Sequence, residues 1–193
     1  MQDGLRTMCA MRDRITIWLR ARRLDETGNA LIEAALVFPI LFILFFGTSE
    51  LCEGFIASRR VEAAAFTAAD LVARLQTVNS ADLVALKSII DETIKPLPVA
   101  TVGLVVTSVV ADENNITTRV AWSEAFGPGV TAHTANASIV LPAGLTLPNS
   151  SVIFAQVSYT FRSTLSTLIV GGLQLRAQAY QQPRFAGQVA RSG

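Results

Sequence analysis

The chain has 193 residues, 51% of them apolar and 16% charged, with a formal net charge of +1. That balance is more apolar than is usual for a soluble domain. Two cysteines and a single histidine leave almost no material for a His/Cys metal site, and no cofactor or nucleic-acid partner is expected.

The first 28 residues form a basic leader. Arg6, Arg12, Arg14, Arg20, Arg22 and Arg23 outnumber Asp3, Asp13, Asp25 and Glu26. An uncharged run follows, AALVFPILFILFFG from Ala34 to Gly47. With Ala30 and Leu51 as outer limits, it reaches about 20 residues interrupted only by Glu33 and Glu50, enough for a helix to cross a hydrocarbon core of about 30 Å. The positive-inside rule keeps the leader in the cytoplasm and puts the remainder outside. Cys9 and Cys52 then fall on opposite sides of the membrane, so no disulfide joins them. An ordinary secretory signal has its cleavage site after the apolar core; here Gly28 precedes it, and a cut there leaves the membrane helix on the mature protein.

Helical spacing continues past the apolar run. Leu51, Phe55, Ser58, Val61 or Glu62, Ala65, Ala68 or Ala69, Val72 and Leu75 recur at steps of three and four. The expected helix covers residues 29–76, with a kink or unwound turn at Pro39. The alanines from Ala63 to Ala69 read either as a packing face or as helix propensity alone. A second helix, SADLVALKSIIDETIK, is expected to open on Ser80 as its cap, to bury Leu83, Leu86, Ile90 and Ile94, and to stop at Pro96.

Beyond Pro98 the period changes to two. VATVGLVVTSVVAD, NITTRVAWSEAF, ASIVLP, SVIFAQVSYTFRS and LQLRAQAYQQ predict four or five antiparallel strands, and Val157 and Tyr159, alternating with Ser158 and Thr160, give their strand one face to bury and one toward water. GPG at 127–129 and LPAGLTLPNS read as loops, as does the apolar stretch that ends at Gly171 and Gly172. The fold class is therefore α+β: a long N-terminal transmembrane helix followed by a small antiparallel sheet domain. Residues 80–184 are expected to fold without the span, with 185–193 as a tail.

A carboxylate at the edge of a lipid-embedded run costs several kcal/mol unless it is solvated or paired, which singles out Glu33. The order of basic leader, Gly28, four residues, Glu33 and an apolar run containing Pro39, then Gly47 and the pair Glu50–Leu51, resembles the N-terminal region of TadE-like minor pilins (pseudopilins) of the tight-adherence pilus. Tyr159, Phe161, Pro183 and Arg184 are similar to that family's closing pattern. The resemblance implies a pilin-like fold and cleavage by an aspartic prepilin peptidase between Gly28 and Asn29. The family usually has an aromatic residue after the glutamate; Ala34 stands there in this chain, which implies slower processing.

The resemblance also implies work in assembly or anchoring of an adhesion pilus at the bacterial inner membrane, with the sheet domain in the periplasm. The implied partners are the major pilin, sibling pseudopilins, the prepilin peptidase and the inner-membrane secretion platform; no small-molecule substrate is implied. An ammonium created at Asn29 would lie one helical turn from Glu33, and helices offset along a fibre could pair the ammonium of one subunit with the carboxylate of another. The alternative is a signal-anchored periplasmic binding domain without a pilus role. His133 has no nucleophile or orienting group in any motif, so no catalytic function is expected.

Overall fold

The computed structural model describes residues 26–114, 117–163, 167, 172–185 and 187–192. The leader up to Asp25 and most of the loop 164–171 lie outside the described residues. The chain divides into two compact units, Met1–Ser49 and Glu50–Gly193.

Helix α1 is Glu26–Ala73. It starts three residues before the expected Asn29 and ends three before Gln76. The early end has a physical cause. Arg74 and Leu75 bond back to Leu71 and Val72 with i→i−3 geometry, tightening the final turn. Thr77–Val78 (β1) then straighten to pair in parallel with Ala190–Arg191 (β6). The helix continues through Pro39, whose ring nitrogen leaves the Ala35 carbonyl without its usual donor.

Helix α2, Ser80–Ile94, is capped by Asn79 and not by Ser80. The Asn79 side chain accepts from the Asp82 amide at 2.8 Å, and the Asp82 carboxylate accepts from the Asn79 amide at 3.0 Å. This reciprocal box satisfies two donors at the helix end. Leu83, Leu86, Ile90 and Ile94 are buried as the spacing requires.

The strands β2 (Gly103–Ala111), β3 (Thr118–Phe126), β4 (Ser151–Phe161) and β5 (Leu173–Gln181) form an antiparallel sheet in the order β3-β2-β4-β5. The architecture is thus α+β, a long apolar helix followed by a small antiparallel sheet. ASIVLP contributes no strand, only an isolated bridge from Ser138 to Arg119. Backbone bonds flank that bridge, from the Val120 amide to the Ala137 carbonyl at 3.0 Å and from the Ile139 amide to the Thr118 carbonyl at 3.1 Å.

The inner face of the sheet carries Leu104, Val106, Ile153, Ala155, Val157 and Ala179, which share one core with α2 and with Ala57, Val61, Ala64, Ala65, Ala68, Ala69, Val72 and Ala73 of α1. The alanines at 64, 65, 68 and 69 are therefore a packing face: their small side chains let the helix lie close to the core. Leu51 and Phe55, expected on the same stripe, are exposed. Near that end of the helix, a Cβ on Gly54 would lie 3.8 Å from Phe161.

The alternation holds in the second half of β4, where Val157 and Tyr159 are buried and Ser158 and Thr160 half-exposed. It fails in β2, where eight of nine residues are buried. Val105, Val109 and Phe154 on the outer face are also inaccessible to water. The stretch 127–150 covers them. Gly127 permits the turn into it, with φ +88° and a position where a Cβ would fall 2.1 Å from the Val102 carbonyl oxygen.

The C-terminal residues are part of the fold. Val189 is fully buried, and its carbonyl accepts from the Trp122 indole at 2.8 Å. Arg191 reaches Glu124 and Ser80, both at 3.0 Å. The core thus draws on residues on both sides of the segment 80–184.

Candidate functional site

From Leu31 to Phe46 the large apolar side chains of α1 are exposed on every side of the helix. A helix apolar all round is stable only inside a protein or in lipid. Composition explains the helix itself: leucine and alanine favour it, and phenylalanines four apart stack along it, with ring centroids 6.0 Å apart for Phe38 and Phe42 and 4.3 Å for Phe42 and Phe46. The helix is long and apolar enough to cross a membrane.

Gly28, Asn29 and Glu33 are all exposed. The Gly28–Asn29 bond lies within the first turn of α1, since the helix opens at Glu26. Glycine lowers helix stability by about 1 kcal/mol relative to alanine, so that turn opens more readily than its neighbours. Asn29 and Glu33 stand at i and i+4 on one face. Among the described residues, nothing lies within 4 Å of where a Gly28 side chain would begin.

Two further contacts involve residues singled out by the sequence. The Ser163 hydroxyl donates to the Glu50 carboxylate. At the other end of α1, the Arg184 amide donates to the Ala73 carbonyl at 2.9 Å, satisfying one of the open carbonyls of the final turn. The Arg184 guanidinium pairs with Asp70, which also accepts from Arg74 at 2.9 and 2.6 Å. Hydrogen bonding from Arg74 holds the Asp70 carboxyl below its ordinary pKa, reinforced by both positive charges. Composition alone did not single out Asp70; its spacing of four from Arg74 was the available signal. His133 is half-buried, lies against Phe154 and faces Gln156.

These features define a protein with one membrane-length apolar helix whose C-terminal part is built into a small antiparallel α+β unit. The family model described as TadE-like protein matches residues 28–70, which include Gly28, Asn29, Glu33, Pro39, Gly47, Glu50 and Leu51. The match points to a protein associated with the Tad pilus system, and the sheet lies beyond it. No curated protein and no solved structure matches the chain.

Proposed function

We propose that the protein is a minor pilin or pseudopilin that acts in assembling or anchoring a Tad-type pilus, without catalytic activity of its own. The observation that carries this reading is the match over 28–70, which takes in the stretch from Leu31 to Phe46 where the helix exposes apolar side chains on all sides, with Glu33 inside it. The basic leader keeps the N-terminus in the cytoplasm, and the unit from Glu50 onward lies in the periplasm. The prepilin peptidase cuts between Gly28 and Asn29. The ammonium so formed on one subunit pairs with Glu33 of a neighbour, offsetting the desolvation cost of both charges when the helices meet in register. The major pilin, sibling pseudopilins and the membrane platform are the partners.

Co-purification tests this. Glu33→Ala should leave cleavage and membrane insertion intact while lowering recovery with the other pilins. Normal recovery would remove the pairing role, and an uncut chain would make Glu33 a determinant of peptidase recognition.

A further inference from the structure

The stretch 127–150 does more than cover the outer face of the sheet. Between its first part and the strands β4 and β5 it leaves an open cleft of about 300 Å³. The register of β4 and β5 sets Ser158 opposite Arg176, Gln156 opposite Gln178 and Phe154 opposite Tyr180, so these pairs form successive rungs on one face. Gly103 brings the loop close, since a Cβ there would fall 2.6 Å from Val130 and 3.0 Å from the Pro128 carbonyl oxygen. His133 fixes its far side: its amide donates to Ser123 at 3.0 Å, and its ring lies 6.2 Å from that of Phe154, centroid to centroid.

The polar groups of the cleft are biased toward donation. Gln156 Oε1 lies 3.1 Å from His133 Nε2, and an amide oxygen can only accept, so the ring donates and the Gln156 NH₂ is left over. Tyr180 donates its hydroxyl to Gln178 Oε1 at 3.2 Å, leaving the second NH₂. Among the described residues, neither amide NH₂ nor the Arg176 guanidinium has a partner, and no carboxylate lines the cleft. Thr131 and Ser158 add hydroxyls that can donate or accept. An exposed guanidinium, amide donors and hydroxyls suit a ligand with one carboxylate and several hydroxyls.

We propose that this cleft binds a uronate ring, the carboxylate on Arg176 and the ring hydroxyls on Gln156, Gln178 and Thr131. The site is on the sheet and is independent of the assembly role assigned to α1.

Isothermal titration of the full-length protein in detergent micelles tests it, with galacturonate, glucose and acetate as probes. Galacturonate is expected to bind at least about tenfold tighter than either control, because each control lacks one half of the recognised chemistry. Arg176→Gln, an exposed change that leaves the circular dichroism spectrum unaltered, should weaken galacturonate by about tenfold or more, and Gln178→Ala by about threefold. Tri-galacturonate distinguishes a polymer unit, bound as well as the monomer, from a free sugar, for which the trimer is excluded; either supports a uronate site. Absence of saturable galacturonate binding, acetate or glucose binding equally well, or an unaffected Arg176→Gln would overturn the proposal.

Discussion

Arg184 holds the end of the long helix from outside it, donating its backbone amide to Ala73 and its guanidinium to Asp70. The Pro183–Arg184 pair that ends the sequence resemblance thus has a mechanical reason to be there. It fastens the last turn of the helix to the strand that leaves the sheet. Both arginines on Asp70 are about half exposed, at 53% and 51% for Arg74 and Arg184, so the pairing is screened and its contribution modest.

Arg184→Ala should lower the thermal midpoint, with a pH signature. Asp70 has a folded pKa below its ordinary 3.8, so its contribution is complete above about pH 4 and is lost as the pH falls through the lower folded value. The gap between wild type and variant should therefore be constant at neutral pH, narrow under acid, and shrink in about 1 M salt. Thermal melts across pH and salt measure it; a gap that widens under acid would remove the ion-pair explanation.

Gly103→Ala should cost about 1–3 kcal/mol, because one of the three close neighbours of the new methyl group is the Pro128 carbonyl, which cannot rotate away. Urea titration is the measurement. An unchanged midpoint would mean that the loop does not press on the strand.

Trp122→Phe keeps most of the buried ring and removes the donor to the Val189 carbonyl. The expected loss is about 1–3 kcal/mol, since that carbonyl is left without its donor. The contrasting change is Ser108→Ala. Among the described residues, the buried Ser108 hydroxyl has no hydrogen-bond partner, so its removal should be neutral or stabilising.

Residues 50–193 should fold as a unit, whereas 80–184 should not. The shorter piece lacks the buried face from Ala57 to Ala73 and the Val189 contact. Proteolysis and circular dichroism of the two fragments distinguish the outcomes; a cooperative melt from the shorter piece would contradict this placement of the core.

How far the sequence could be read depends on the range of the interactions involved. The span, α2 and four strands were legible because periodicity and charge are local: Leu83, Leu86, Ile90 and Ile94 fell where the spacing put them. The end of α1 was not, because Thr77 and Val78 are claimed by Ala190 and Arg191, more than a hundred residues later. The nearly continuous apolar run of Gly103–Ala111 is consistent with burial of β2 on both faces, but that the cover is a loop starting at Gly127 is not a local property. Ser80 is as good a cap as Asn79 by residue type; the reciprocal bond with Asp82 decides for Asn79. At the candidate site, Gly28, Asn29, Glu33 and Pro39 were legible as a pattern, but that the Gly28–Asn29 bond lies inside a helical turn was not.

The central claim is that α1 is the assembly helix of a processed pilin-like subunit, and the mass of the protein recovered from membranes tests it most directly. The account predicts a chain beginning at Asn29, accumulating slowly because Ala34 stands where the family usually has an aromatic residue. A protein that retains its leader in the presence of the peptidase, or one cut after the apolar run, would contradict it.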